Sequence, residues 1–130
     1  MLTKGQVSLC GGSVIDLLSG WNPKGFDFFF HCGSVNLAEE LLLKCMNYLT
    51  ENCSDPIFKS TQAVETVEEP RRDTYQFIRR VYQTKEQVLL GFDLAPSRLG
   101  FNLKDGFFCT ICSALALATK SFPIDTKFII

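Results

Sequence analysis

Four phenylalanines within five residues, at positions 26–30, restrict the fold of this chain more than any other segment does. A short apolar run bounded by turn residues is typical of a strand that is buried on both faces. The loop before it, residues 21–25, contains an Asn-Pro pair and a glycine, which favour turns. The run therefore predicts a β-strand near the centre of a sheet.

Hydrophobic periodicity and turn residues place further elements around this strand. Helices are predicted over residues 14–18, 34–49, 73–83 and 110–118, with Ser13, Ser34 and Thr110 as N-caps, and strands over residues 6–10 and 87–94. Residues 58–67 are predicted to be extended or to form a hairpin, and the Asp-Gly pair at 105–106 predicts a hairpin between 98–102 and 107–109. We expect one domain over residues 1–130, of the α+β class, with helices packed mainly on one face of a mixed β-sheet.

Composition excludes several classes of protein. Of the 130 residues, 46% are apolar and 21% are charged, so intrinsic disorder, collagen-like repeats and a coiled coil are excluded. Thirteen basic against 14 acidic side chains create no overall field, so nucleic acid could bind only at a local patch. No run approaches the roughly 18 apolar residues of a membrane span, and no apolar leader opens the chain. We expect no membrane partner, an intracellular location in cytoplasm or nucleus, and six free cysteines.

The pattern that bears on function is a glycine turn followed by an acidic strand. Gly11-Gly12-Ser13 opens a predicted helix, and backbone N–H groups at such a turn can hold a phosphate because no Cβ blocks close approach. After the spacer 14–24, the predicted central strand carries Asp27, and a later apolar strand carries Asp93. Carboxylates on neighbouring strands can hold Mg²⁺ against a phosphate. These five residues are predicted to line one cleft.

At these residues the chain resembles the nucleotidyltransferase superfamily of the DNA polymerase beta type. The motif of that superfamily is a Gly-Gly or Gly-Ser turn, a spacer, and two aspartates separated by one hydrophobic residue. The chain resembles more closely a nucleotidyltransferase-like module found beside ankyrin repeats and in large DNA viruses. The later segments that carry this resemblance are STQAV at 60–64, YQFIRRVY at 75–82, LGFDL at 90–94, RLGF at 98–101 and residues 114–125. The resemblance implies a nucleotidyltransferase-like fold over nearly the whole chain.

One departure from the motif decides the functional prediction. The first carboxylate position is Gly25 in this chain, so Asp27 alone remains on that strand, and Asp93 takes the third position. Two-metal phosphoryl transfer needs carboxylates that fix both cations. We therefore expect no catalytic residues, a vestigial nucleotide cleft, and no cofactor unless Mg²⁺ binds at Asp27 and Asp93.

The resemblance to a degenerate module implies an inactive protein that acts as an interaction or regulatory factor, virus-encoded if the viral context holds. Its partner would be another protein or a second copy, and Trp21 with Phe26 could form an exposed patch for it. Two alternatives stay open. One is a nucleotide or nucleic-acid binding module, and the other is a residual metal-dependent nucleotidyltransferase.

The sequence has one basic cluster, at and within the predicted helix 73–83: Arg71, Arg72, Arg79 and Arg80. This cluster could bind a polyanion. The alternative is a solvated helix face that is neutralised by the acidic residues just upstream, Glu65, Glu68 and Glu69.

His31 and the Cys109-x-x-Cys112 pair have structural interpretations. A zinc site would need more ligands than this pair and the single histidine provide, so we expect two small residues at the start of a packed helix. His31 and Cys32 are strand neighbours that point to opposite faces, so they form no catalytic dyad, and His31 is predicted to be structural.

Overall fold

The computed structural model describes residues 3–120 and 124–130, so part of the last segment of the resemblance, residues 121–123, lies outside it. The described residues form seven strands and four α-helices. Their bounds are β1 Val7–Cys10, α1 Gly12–Leu18, β2 Gly25–Phe30, α2 Val35–Asn52, β3 Ile57–Ser60, β4 Val64–Glu68, β5 Thr74–Val81, α3 Lys85–Leu90, β6 Leu99–Asn102, β7 Gly106–Cys109 and α4 Ile111–Ala118. Short 3-10 helices lie at Ala95–Ser97 and Thr126–Phe128.

The strands form one sheet in the order β3-β4-β5-β2-β1-β6-β7. β2 pairs in parallel with β5, whereas the other neighbouring strands pair antiparallel. β2 is the fourth strand of the seven, which confirms the prediction that the phenylalanine run occupies the centre. The predicted α+β class with a mixed sheet is confirmed as well.

The helices lie unequally on the two faces of this sheet. Side chains alternate along a strand, so Phe28 and Asp27 of β2 belong to opposite faces. Phe28 packs against two cores, one formed with α2 and the other with α1 and α4. On the opposite face, Phe29 packs against a smaller core that contains Val88 and Leu89 of α3. Three helices on one face and one on the other agree with the predicted arrangement.

Local signals predicted several elements correctly. The Ser34 hydroxyl accepts a hydrogen bond from the Leu37 N–H at 3.3 Å and starts α2. The Thr110 hydroxyl accepts one from the Ser113 N–H at 3.2 Å and starts α4. The hairpin predicted at the Asp-Gly pair is the antiparallel pair β6–β7, and the segment predicted as extended or a hairpin takes the second form, as β3–β4. Gly106 closes the β6–β7 hairpin with a φ of 72°, a backbone conformation that favours glycine.

The predicted helix over residues 73–83 is wrong, because the segment is strand β5. Phe77, Ile78, Val81 and Tyr82 fit helical spacing, but Tyr75 and Phe77 fit the two-residue period of a strand equally well. β5 pairs with β2 on one side and with β4 on the other. This long-range pairing, together with burial of Phe77 against the α2 core, outweighs the local helical pattern.

The predicted strand over residues 87–94 is also wrong, because residues 85–90 form α3 and a turn follows. The Thr84 hydroxyl accepts a hydrogen bond from the Gln87 N–H at 3.2 Å, and Gln87 Oε1 accepts one from the Gln83 N–H at 2.8 Å. This reciprocal arrangement is close to a capping box, whose T-x-x-Q signal is present in the sequence. Val88 and Leu89 are both buried, which explains why the run resembles a strand.

Ser8 of β1 anchors a polar network on the face that carries α3. Its buried Oγ lies 2.7 Å from His31 Nε2 and accepts a hydrogen bond from Asn102 Nδ2 at 2.8 Å. Asn102 Nδ2 also donates to Asp105 Oδ2 at 3.1 Å. Burial lowers the pKa of His31, which favours the neutral imidazole, and a neutral ring can share this hydrogen bond with the Ser8 hydroxyl. His31 therefore links β1, β2 and β6, in agreement with its predicted structural role.

Candidate functional site

The glycine turn connects β1 directly to α1. Gly11 is the N-cap of α1 and has φ 94° and ψ −147°, a conformation that residues with a Cβ rarely adopt. Its N–H donates to the Leu99 carbonyl of β6 at 3.0 Å, and its carbonyl accepts from the Val14 N–H at 3.1 Å. Gly12 is exposed, and a Cβ added there would meet no described atom within 4 Å. The turn is therefore fixed at Gly11 and open at Gly12.

A phenylalanine occupies the space beside Gly11. A Cβ on residue 11 would lie 2.9 Å from Phe92 Cε1, so the missing side chain of Gly11 makes room for this ring. The Phe92 ring also packs edge to face against Phe29 of β2, with 5.5 Å between the ring centroids. Phe92 thus joins the glycine turn to the face of β2 that carries Asp27. The sequence holds no local signal for this contact, because it depends on where α3 places the turn that follows it.

Ser13 does not cap α1, and that part of the prediction is wrong. Gly11 holds the N-cap position without any side-chain hydrogen bond, and Ser13 is the second residue of the helix. The Ser13 hydroxyl oxygen is buried and has no hydrogen-bond partner within the part of the chain that the structure describes. Such a group is uncommon in a folded protein and calls for an explanation.

Asp27 lies on the central strand, two residues before Phe29 and therefore on the same face. It is half-buried, and burial raises the pKa of its carboxyl group. Across residues 3–120 and 124–130, Asp27 has neither a side-chain hydrogen bond nor an ion pair. In the parallel register of β2 with β5, the residue beside Asp27 is Gln76. Sequence reasoning missed Gln76 because it placed this segment in a helix.

Asp93 does not lie on a strand, so its predicted location is wrong. It is exposed in the turn between α3 and the 3-10 helix Ala95–Ser97. Phe92, the residue before Asp93, has two contacts that fix its position. Its carbonyl accepts a hydrogen bond from Arg98 Nε at 2.8 Å, and its ring packs on Phe29. The segment that carries Asp93 therefore lies on the α3 face of the sheet, as Asp27 does. A joint role of these two carboxylates stays a prediction.

The donor set does not fit a two-metal centre. Residues 3–120 and 124–130 contain no group of three or more His, Cys, Asp and Glu side chains placed to hold a metal ion. Gly25 begins β2 at the position where the motif has its first carboxylate, and Gln76 offers a neutral amide beside Asp27. Two-metal transfer requires carboxylates that fix both cations, and these residues do not supply them. We assign no catalytic step to a metal here.

The arginine cluster is divided by strand β5. Arg71 and Arg72 lie in the turn before β5, whereas Arg79 and Arg80 lie near its other end, about 20 Å away at roughly 3.3 Å per residue. Arg72 pairs with Glu69 at 3.3 Å and Arg79 with Glu65 at 3.6 Å, as the alternative to a polyanion patch predicts. The placement on one helix is wrong, and polyanion binding itself stays a prediction.

The predicted partner patch is also divided. The Trp21 side chain is 72% exposed in the loop after α1. Phe26 is half-buried and stacks on Tyr75, with 5.6 Å between the ring centroids. Trp21 is therefore the part of the patch that remains available to a partner.

The six cysteines are all free thiols in the structure. Cys109 ends β7 and is buried, whereas Cys112 is exposed in the first turn of α4. The pair therefore lies at the start of a packed helix, as expected. None of the helices in the described ranges is long and apolar enough to cross a membrane.

Comparison with protein families gives a match over residues 1–120 to the family described as "Gad2: Gabija anti-defense 2 family protein". The chain belongs to this family. A search of curated proteins finds no match. Membership in the Gad2 family supports neither the ankyrin-repeat context nor the viral context that the closer resemblance implied.

Solved structures similar to this Gad2 family member include a CCA-adding enzyme, a tRNA nucleotidyltransferase and a tRNA-processing enzyme. The Thermotoga maritima CCA-adding enzyme complexed with tRNA is 16% identical, with a TM-score of 0.60 over 86% of this chain and 26% of that one. A tRNA nucleotidyltransferase complexed with a primer tRNA and an incoming ATP analog is 14% identical, with a TM-score of 0.61 over 91% of this chain and 36% of that one. A tRNA-processing enzyme complex is 16% identical, with a TM-score of 0.62 over 92% of this chain and 34% of that one.

These similarities show the fold of the Gad2 chain, which is nucleotidyltransferase-like. The chain spans only about a quarter to a third of the length of these enzymes. At 14–16% identity, the activity of the enzymes does not transfer to the chain.

Proposed function

We propose that this domain does not transfer nucleotides and acts by binding a protein component of the Gabija defense. The name of the family, Gabija anti-defense 2, supports opposition to such a system. The observation that carries the inactive assignment is the register of β2 and β5. Asp27 is the one carboxylate on the central strand, and its neighbour on β5 is Gln76. A site with one acid at its centre cannot hold two cations in the way that phosphoryl transfer by this fold requires.

The position of the Phe92 ring is a second physical reason for the inactive assignment. In a phosphate-binding turn, glycine leaves the backbone open to the ligand. Here the space beside Gly11 is filled by the Phe92 ring, which rests on Phe29. The Gly11 N–H, moreover, donates to the Leu99 carbonyl at 3.0 Å, so this glycine offers a phosphate no free donor. Both features argue against phosphate binding at Gly11.

A nucleotide-binding module is the second candidate, and three groups favour it. Gly12 is open to solvent, the buried Ser13 hydroxyl has no partner in the described residues, and Asp27 is half-buried and unpaired there. A carboxylate with a perturbed pKa and no structural partner is a frequent feature of binding sites. In this interpretation a nucleotide phosphate would occupy the Gly12 side of the turn, without chemistry.

Two measurements separate these functions. Isothermal calorimetry with ATP or GTP and Mn²⁺ is expected to show no heat at millimolar nucleotide, for the native protein and for Asp27→Asn. The matched control is Asp16→Asn, which changes an exposed acid of α1. Heat that disappears in Asp27→Asn and persists in Asp16→Asn would favour the binding module. Incorporation of labelled nucleotide into an acceptor that Asp27→Asn abolishes would overturn the inactive assignment.

Capture experiments test the partner. The purified chain is expected to retain purified Gabija proteins on a column, and Asp27→Asn is expected to retain them equally, since the proposed function does not use the carboxylate. Trp21→Ala is expected to weaken retention at least fivefold, because exposed tryptophans are frequent hot spots at interfaces. Leu103→Ala, at a 76% exposed position in the β6–β7 turn, is the control. No retention of any Gabija component would overturn the proposal.

A further inference from the structure

A large apolar cavity lies on the sheet face opposite to Asp27. Its volume is about 380 Å³. The floor is formed by side chains of four adjacent strands, including Leu9, Phe28, Phe77 and Phe101. One wall is α2, through Cys45, Tyr48 and Leu49. The cavity exists because α2 covers one half of this face and α1 with α4 cover the other, so the middle of the sheet is left without a helix.

The lining of this cavity indicates a neutral ligand. Twelve residues line it and none carries a formal charge, so a charged molecule would lose its hydration without gaining a partner. The volume falls within the roughly 300–1,000 Å³ that is usual for small-molecule sites. The cavity also opens to solvent, because two of its residues, Tyr48 and Leu103, are 55% and 76% exposed. Size, charge and access therefore fit a neutral small molecule.

The shape of the walls indicates an aromatic molecule. Five of the lining residues are aromatic: Phe28, Tyr48, Tyr75, Phe77 and Phe101. Phe28 and Phe77 stack on each other at the floor, with 5.1 Å between centroids and 17° between their planes. A planar ligand ring can pack against such aromatic side chains in offset or edge-on geometry and gains energy beyond the buried area. Tyr48 and Thr3, whose side chains each carry a hydroxyl group, belong to the same lining, so the cavity can also accept one polar substituent.

We propose that this cavity binds a neutral aromatic small molecule, independently of the cleft at Asp27. An apolar recess that faces water lacks the dispersion contacts of a packed interior, and a ligand of matching shape restores them. The cavity is recessed between α2 and the β6–β7 turn, which suits a compact molecule better than a continuous peptide strand.

The test uses N-phenyl-1-naphthylamine, a neutral aromatic probe that fluoresces in apolar surroundings. Saturable binding of one probe per chain is expected. Tyr48→Arg introduces a charge at an exposed lining position, so it should weaken binding at least tenfold while leaving the fold intact. Leu43→Arg is the matched control, since residue 43 is 62% exposed on the same helix and does not line the cavity. Its affinity should stay within twofold of the native value.

A second variant and a competition complete the test. Cys45→Phe fills the cavity from α2 and should abolish probe binding, while Cys112→Phe, at an exposed site on α4, should not. Displacement of the probe by 1-naphthol at lower concentration than by 1-decanol supports an aromatic ligand, and the reverse order overturns it. The proposal would be overturned if the native protein showed no saturable binding, or if Tyr48→Arg and Leu43→Arg bound the probe equally well. It would also be overturned if light scattering showed that the protein dimerises and that the dimer no longer binds the probe. Asp27→Asn should bind the probe as the native protein does, so failure here leaves the proposed function unaffected.

Discussion

Replacement of Gly11 by alanine should destabilise the domain strongly. Gly11 has φ 94° and ψ −147°, and holding a residue with a Cβ in such a sparsely populated region costs about 1–3 kcal/mol. The new Cβ would also lie 2.9 Å from Phe92 Cε1 and 3.2 Å from Cζ. Overpacking of this kind typically costs about 1–3 kcal/mol more. The expected loss of about 2–6 kcal/mol is a large part of the roughly 5–15 kcal/mol by which domains are stable.

Gly12→Ala is the matched control, one residue further on. A Cβ at this position meets nothing within 4 Å, and the backbone there has no positive φ. Alanine at a compatible glycine position restricts the unfolded chain and stabilises by about 0.4–1 kcal/mol. Urea unfolding followed by far-UV circular dichroism measures both variants. Equal stability changes in the two variants, or native stability in Gly11→Ala, would refute the reasoning about this turn.

A double variant separates the backbone effect from the steric one. Phe92→Leu shortens the ring that occupies the space beside Gly11. If the ring causes part of the loss, Gly11→Ala should cost about 1–3 kcal/mol less in the Phe92→Leu background than in the native protein. Additive free energies of unfolding would mean that the Phe92 ring contributes nothing to the cost of a Cβ at residue 11.

Three further predictions concern single side chains. Thr84→Ala removes the N-cap of α3 and should lower the free energy of unfolding in urea by about 1 kcal/mol. Burial raises the pKa of Asp27 above its ordinary 3.8, so the folded state holds the proton more tightly and loses stability as the pH rises through that range. Asp27→Asn should therefore stabilise the domain at pH 7, with a gain that vanishes as the pH falls towards 3.8. Burial lowers the pKa of His31 below 6.5, so the unfolded chain takes up the proton first and stability falls as the pH drops below 6.5. His31→Gln should flatten this slope in urea unfolding at pH 5–7.

The elements that sequence reasoning predicted correctly are those whose signals are local. The Phe26–Phe30 run, the Ser34 and Thr110 caps and the Asp-Gly turn each fix a conformation within a few residues. Residues 73–94 contain no local signal of this kind that decides between helix and strand, because their apolar residues fit both the helical spacing and the two-residue spacing of a strand. In β5 the decision comes from pairing with β2, about 50 residues earlier in the chain. In α3 it comes from a cap at Thr84 whose signal was present but was outweighed by the apolar run.

The candidate cleft could be predicted only in part, for the same reason. The glycine turn and Asp27 follow from a spacing along one stretch of chain, and the structure has Gly11 at the start of α1 and Asp27 on β2. Gln76 and Phe92 belong to segments whose position depends on the register of β5 and on the direction in which α3 leaves the sheet. The missing carboxylate at Gly25 is visible in the local motif, whereas the neutral neighbour of Asp27 and the ring beside Gly11 are not. Local patterns therefore reach one part of the evidence against transfer chemistry, and the long-range fold supplies the rest.

The central strand β2 contributes residues to both candidate sites, but on opposite faces of the sheet. Asp27 and Phe28 are consecutive in β2, yet one belongs to the candidate cleft and the other to the floor of the apolar cavity. Substitutions of side chains on opposite faces share no contacts, so their effects on the free energy of unfolding should add. A change that shifts the strand itself should act differently. Weaker pairing of β2 with β5 would move Gln76 away from Asp27 and Phe77 away from Phe28 at the same time, because both contacts follow one register.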